Sequence, residues 1–234
     1  SHWGAVASDF NNDGYLDIFI ANGKLIPDSD SRFTSLSQPN TVLINQFGKR
    51  FFLSNNTVVI NNSSRAAIST DLNNDGVLEV IVTNNNGSTQ ILKSYRSKED
   101  KLKTHNWIGF ELKNKNSIGW GAGEIKIKYG GMQQVRSLAP SSGYLSQSES
   151  RLHFGLGYSK KIDQLIVKGQ NKLFTVSNLE SGYYYTVDLL THDIRKNEYT
   201  EQADPLDFLI ESIDTNALVP LEKIILKNNN PEHT

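Results

Sequence analysis

Asp9, Asn11, Asp13 and Asp17 fall at positions one, three, five and nine of one short stretch, with Gly14 at position six. Asp71, Asn73, Asp75 and Glu79 repeat the set around Gly76. Alternate residues of a tight loop bring their side chains to one focus. An all-oxygen donor set suits a hard cation such as calcium, which takes six to eight oxygens at about 2.3–2.6 Å. Glycine permits the sharp bend, and the carbonyl of position seven, Tyr15 or Val77, can turn inward as a further ligand. We therefore expect two Ca2+ sites, one built from Asp9, Asn11, Asp13, Tyr15 and Asp17, the other from Asp71, Asn73, Asp75, Val77 and Glu79. Asn-Asp-Gly alone is ordinary turn chemistry. A turn, however, needs no acid at positions one and nine, and here the whole set occurs twice. An EF-hand would add a Glu at position twelve and flanking helices; Ile20 and Val82 occupy that position within apolar runs, which excludes it.

The elements that must hold these loops follow from what flanks them. Asp9 aligns with Asp71, 62 positions on, and the match extends both ways, "GAVASDFNNDGYLDIFIANG" over "AAISTDLNNDGVLEVIVTNNNG". Such self-similarity marks a repeat architecture. Leu16 to Ile20 and Leu78 to Val82 are β-branched, aromatic and short, hence strands. Between the loops, Val42 to Ile44 and Phe51 to Leu53 flank a Gly-containing turn, a hairpin signal. One repeat thus holds about four strands, the size of a propeller blade.

Loops and strands together resemble the FG-GAP/VCBS repeats of integrin-type β-propellers over residues 1–93. That resemblance implies calcium in Asp-x-Asn/Asp-x-Asp-Gly-x-x-Asp loops. Glu79, where the pattern prefers Asp, is a departure. Two blades do not close a propeller, so the resemblance also implies further blades upstream of Ser1.

Residues 94–106 are a charged connector, "SYRSKEDKLKTHN". Strand-like runs resume after it. Ile125 to Tyr129 alternates apolar with basic, as a half-buried antiparallel strand does, and Gly130-Gly131 supplies a hairpin turn. Gly121-Ala122-Gly123, Gln134-Val135-Arg136, Ser142 to Gln147 and His153-Phe154-Gly155-Leu156-Gly157 resemble an ASPIC/UnbV domain, the module that follows FG-GAP repeats in cartilage acidic proteins and bacterial surface proteins. Lys168-Gly169-Gln170-Asn171 stands where that family usually has Trp-Pro-Ser-Gly. The domain is expected over 107–190. The tail, 191–234, carries Asp204-Pro205 as a helix start, and Leu206, Leu209, Ile210 and Ile213 at helical spacing predict a short helix over 205–213. The fold expected is therefore all-β: a partial propeller of two calcium-loop blades, then a small antiparallel β-domain and a short helical tail.

Function is bounded by what is absent and by what is balanced. Lys and Arg number 24 against 25 Asp and Glu, a net charge of −1, which gives no field for nucleic acid or an anionic membrane surface. There is no cysteine, so no disulfide frame, thiolate zinc site or thiol nucleophile. No apolar run approaches the roughly 20 residues of a transmembrane helix. Ser146, His153 and Glu149 or Asp163 contain the residue types of a catalytic triad, but the Ser lacks a Gly-x-Ser-x-Gly elbow. The expected arrangement there is a glycine-rich loop with Tyr144 and Phe154 in the core and His153 bonded to backbone. "GWGAG" and "GLG" lack the Lys-Ser/Thr of a phosphate loop, and no carboxylate pair is left for glycosidase chemistry. Sequons stand at Asn55, Asn61, Asn62 and Asn86. Loops of this kind fill where calcium is near millimolar. With the resemblance, this points to a non-enzymatic, calcium-binding binding or adhesion module, extracellular or on the cell surface, whose partner is a protein or glycan. The alternative is a structural accessory subunit of a larger surface assembly; a carbohydrate-processing domain ranks below both.

Overall fold

The structure, a computed structural model, describes residues 1–24, 36–54, 62–93, 105–114, 117–118, 123–138, 143–169 and 172–198. Strands β1 (His2–Ser8), β2 (Asp17–Asn22), β3 (Thr41–Gln46) and β4 (Arg50–Leu53) form a four-stranded antiparallel meander in chain order. The second copy, β5 (Ser64–Thr70), β6 (Glu79–Asn84) and β7 (Gly87–Leu92), is a three-stranded meander. In both, the acidic stretch is the connection that closes a hairpin. Ser8 pairs with Asp17 and Thr70 with Glu79, so position one begins the loop and position nine opens the returning strand. Even the irregularity repeats: register shifts between His2 and Ala5, and again between Ser64 and Ala67.

The two meanders share a core of Val6, Phe19, Ala21, Val42, Ala67, Val80, Val82 and Leu92. Their first strands lie side by side, with Ser8 and Ser69 hydroxyls 2.6 Å apart. Contact is closest at Gly4, where a Cβ would stand 2.6 Å from the Arg65 carbonyl oxygen. No larger residue fits there without parting the strands.

The second half is a two-sheet sandwich. One sheet runs β11 (Met132–Ser137), β10 (Glu124–Tyr129), β13 (Lys161–Gly169), β14 (Lys172–Glu180). The other runs β12 (Arg151–Gly157), β8 (Asn106–Asn114), β15 (Tyr184–Asp188), β16 (Ile194–Lys196), with β9 (Ser117–Ile118) beside β8. Apolar residues of both inner faces, among them Ile108, Phe110, Ile125, Ile127, Phe154, Ile162, Leu165 and Val187, are buried between the sheets. Lysines 126 and 128 alternate with Ile125, Ile127 and Tyr129 as the sequence predicts, and Gly130 and Gly131 make the turn with φ of 51° and 80°.

The chain is all-β among the described residues. The expected purely antiparallel pairing of the second half is corrected at one place: β8 and β15 are parallel, Tyr184 opposite Gly109 and Val187 opposite Leu112. Between them the chain crosses to the other sheet, and parallel neighbours need such a crossover. β16, at the start of the tail, continues this sheet. The helix expected at 205–213 lies outside the described residues, as do residues 94–104 of the connector, 119–122, and Asn55 and Asn61.

Candidate metal loops and the surface that covers them

The first loop is wired by its own side chains. Asp9 accepts from the amides of Asp13 at 3.0 Å and Gly14 at 2.8 Å. Asn11 Oδ1 accepts from the amide of Asp13 at 3.0 Å, and Asp13 from that of Tyr15 at 2.9 Å. Asp17 accepts from the amide of Phe10 at 3.1 Å and that of Asn45 at 2.8 Å. The second loop repeats this wiring: Asp71 accepts from Asp75 at 3.1 Å and Gly76 at 2.8 Å, Asn73 from Asp75 at 3.3 Å, Asp75 from Val77 at 2.7 Å, and Glu79 from Leu72 at 2.9 Å. Asn12 and Asn74 stand at positive φ, 57° and 61°, and Gly14 and Gly76 at 96° and 78°. The side chains of the odd-numbered positions fold back onto the loop's own amides, and glycine relieves the tightest bend.

The carboxylates at positions one and nine are withdrawn from solvent, whereas Asp13 is half-buried and Asp75 exposed. Asp9 is 2% exposed, Asp17 0%, Asp71 1% and Glu79 1%. Burial first, then the neighbouring Asp13 charge, pushes Asp9 up to about 7, against the amides of Gly14 and Asp13 that favour its ionised form. Burial likewise raises Asp17 and Glu79 to about 7, and moves Asp13 and Asp71 upward. Buried carboxylates need a cation or a proton. In the second loop Lys93 stands 4.0 Å from Glu79, and Arg151 lies close enough to act on Asp71. Among the described residues no Lys or Arg forms an ion pair with Asp9, Asp13 or Asp17.

The residues fit a calcium ion by the chemistry of their donors: all oxygen, mostly anionic, buried at positions one and nine, and each carboxylate with lone pairs left over after its amide bonds. Asp9, Asn11, Asp13, Asp17 and the main chain at Tyr15 would hold one ion, and Asp71, Asn73, Asp75, Glu79 and the main chain at Val77 the other. Among the described residues no three Asp, Glu, His or Cys side chains stand close enough together to hold a metal ion as they are placed, so Asp9, Asp13 and Asp17, and likewise Asp71, Asp75 and Glu79, would have to draw inward to share one.

The second half of the chain covers both loops. His153 Nε2 lies 2.7 Å from Asn12 Oδ1, and the Gly157 amide donates to Asn12 O at 2.8 Å. His153, expected to meet backbone, here meets a side chain of the first loop. Gly155 sits against Asp9 Oδ2 and the Asn12 backbone, so close that a Cβ would collide with both. A Cβ at Gly76 would fall inside the Trp107 indole. Tyr184 donates its hydroxyl to Asp71 Oδ2 at 2.7 Å. Arg151 donates to Asp71 O at 2.5 Å and to Asn74 Oδ1, and is paired with Glu149 at 2.5 Å, whose other oxygen accepts the Asp71 amide at 2.9 Å. Asn12 also joins the loops, donating through Nδ2 to Gly76 O at 2.8 Å.

The catalytic constellation considered from sequence is not brought together by these bonds. Ser146 donates to Ala67 O, Glu149 serves Arg151 and Asp71, and Asp163 accepts from the Gly130 amide. Phe154 is core, as expected, whereas Tyr144 is corrected to 41% exposed, leaning on Trp3 with ring centroids 5.4 Å apart.

Residues 9–82 match the family model of the FG-GAP-like repeat, and residues 112–189 match that of ASPIC and UnbV. The first half of the chain is thus similar to an FG-GAP-like repeat and the second to an ASPIC and UnbV domain, each over about a third of the chain's length. The chain is 24% identical over 185 residues to Cartilage acidic protein 1 of Xenopus tropicalis, an overlap of 79% of this chain and 28% of that protein. It therefore spans little more than a quarter of that relative's length. A Bacteroides ovatus structure described as that of a candidate cell adhesion protein aligns at 13% identity and a TM-score of 0.26, over 85% of this chain and 86% of its own.

Of the side chains that the second half lays on the loops, Trp107, Arg151 and Tyr184 do not stand out in the sequence, and Glu149 does so only as a candidate triad acid. The glycines of "HFGLG", which the sequence does display, make sense with Gly155 pressed against Asp9.

Proposed function

We propose that the chain is a calcium-stabilised, non-enzymatic binding or adhesion module that works outside the cell or on its surface, with a protein or glycan as partner. The observation that carries this reading is the paired loops: the same donors, the same amide wiring and buried carboxylates pushed up to about 7 without a full set of protein cations. Calcium supplies the missing charge there; the chain's own residues orient the oxygens, exclude water and hold the hairpins shut. A site of this type fills where calcium is near millimolar, which supports an extracellular setting. The relation to Cartilage acidic protein 1 supports the same setting. The absence of a membrane-crossing helix among the described residues is compatible with it.

Counting bound metal tests this reading. Native mass spectrometry of the chain exchanged into millimolar calcium is expected to show two calcium ions per chain, and one after Asp13→Ala. A chain that takes up none overturns it.

A second reading, a structural accessory subunit, is favoured by the outer edge of the first meander. Phe47, in the turn after β3, and Phe51, Phe52 and Leu53, in β4, are 63%, 48%, 41% and 61% exposed. β4 is the last strand of its sheet among the described residues, and an apolar edge of this kind is usually covered in natural proteins.

A further inference from the structure

Where the first meander, the second meander and the sandwich meet, they border a half-open cavity of about 260 Å3. Ser8, Asp9 and Ser69 face it from the repeats, Arg136, Glu149 and Arg151 from the domain. Its charges are not equivalent. Glu149 and Arg151 neutralise each other at 2.5 Å. Asp9 is committed to its loop amides and, in the reading above, to calcium.

Arg136 is different. Among the described residues it donates only to two neutral acceptors, Val135 O at 3.0 Å and Gln134 Oε1 at 2.9 Å, while its guanidinium lies over the Phe154 ring at 5.2 Å. A guanidinium has five N–H donors in a rigid fork, so donors remain for a guest. It is also held in place. Gln134, its acceptor, is buried and fixed through Nε2 to Gly155 O and to the Tyr129 hydroxyl, each at 2.7 Å. Burial draws the Arg136 pKa down, and Asp9 opposes this from across the cavity without touching it. A cation in loop one would take up that charge and leave the Arg136 side of the cavity short of anions. Beside it, one hydroxyl of the Ser8 and Ser69 pair donates to the other, which leaves one hydroxyl proton for a ligand oxygen.

We propose that this cavity binds a carboxylate, with Arg136 as its two-pronged anchor and the Ser8 and Ser69 pair as the neighbouring donor. The inference rests on the reading of the chain as a binding module and names the ligand chemistry for it. A planar carboxylate matches the guanidinium fork. The cavity is smaller than the roughly 300–1,000 Å3 of drug-sized sites, which limits the guest to a small free carboxylate or one acidic side chain of a partner.

The test is an NMR titration of the full chain in saturating calcium, following the Arg136 Nε–Hε signal. Sodium succinate is added against sodium chloride at matched ionic strength. A separate arm adds an Asp- and Glu-rich hexapeptide against its Asn and Gln counterpart. The expected result is a saturable shift with succinate, with the acidic peptide, or with both. Succinate alone points to a free metabolite, and the peptide alone to an acidic segment of a protein. Affinity should fall by about tenfold or more in Arg136→Gln, with Arg136→Lys between, because lysine keeps the charge and loses the fork. Chloride-like drift in both arms of the wild type overturns the proposal without recourse to any variant, and so does unchanged affinity in Arg136→Gln. Calcium uptake is measured on the same samples. Uptake with no Arg136 response overturns the carboxylate site and leaves the loop reading standing; an Arg136 response with no uptake does the reverse.

Discussion

Asp9 and Asp71 hold the same position in two copies of one loop, yet they keep different company. Asp9 is bonded to backbone amides, whereas Asp71 also receives the Tyr184 hydroxyl and lies beside Arg151. Tyr184 thus orients Asp71 of the second loop, and Tyr184→Phe should weaken calcium at that loop by about tenfold and leave the first unchanged. Calorimetric titration resolving two affinities checks this; equal loss at both loops would refute it. The raised carboxylates set a pH dependence whose sign is fixed. With no metal, Asp9, Asp17 and Glu79 keep protons in the folded chain that the unfolded chain releases between about 4 and 7. Stability in chelator should therefore fall as pH rises through that window. Calcium competes with those protons, so its stabilising effect should grow over the same range. Melts in calcium and in chelator at pH 5 and pH 8 are expected to differ little at the lower pH and widely at the higher. A gap that does not change with pH would contradict the assignment of these three groups.

At the scale of elements, what was legible was local. The loop donors repeat at every second residue, the glycine sits where the bend is tightest, and the runs after Leu16 and Leu78 are too short and too β-branched to be helices. Those features need only neighbours in sequence, and so the hairpins carrying Asp17 and Glu79 could be placed from the chain alone. What was not legible needed distant partners. Asn12 meets His153 across 141 positions and Asp71 meets Tyr184 across 113, and no pattern within either segment announces the other. The parallel pairing of β8 with β15 was hidden for the same reason. Gly155 links the two levels, because it is a glycine in a strand whose missing Cβ is explained only by a loop far away in sequence. Gly155→Ala should force the ASPIC and UnbV strand off Asp9 and Asn12 and destabilise the chain by roughly 1–3 kcal/mol, the usual range for overpacking. A denaturant midpoint equal to that of wild type would show that the contact is not tight.

For the molecule as a whole, the FG-GAP meanders and the sandwich have separate cores, yet their boundary is made of the loops themselves. Arg151, Glu149, Tyr184, Trp107 and His153 rest on backbone that the acidic side chains shape. Loosening the loops should therefore loosen the attachment of the second domain as well as the hairpins. The central claim is that calcium in the two loops holds this arrangement together. One site, saturated at a hundred times its dissociation constant and empty in the unfolded chain, contributes about 2.7 kcal/mol, a large part of the roughly 5–15 kcal/mol that stabilises a domain. The most direct measurement is a thermal melt of the wild type and of Asp13→Ala with Asp75→Ala, each in millimolar calcium and in chelator. The wild type is expected to melt well above the double variant in calcium, and the two to melt much closer together in chelator, where both lack metal. Identical wild-type melts in the two buffers, with no metal bound in either, would return Asp9 to Asp17 and Asp71 to Glu79 to the status of ordinary turns.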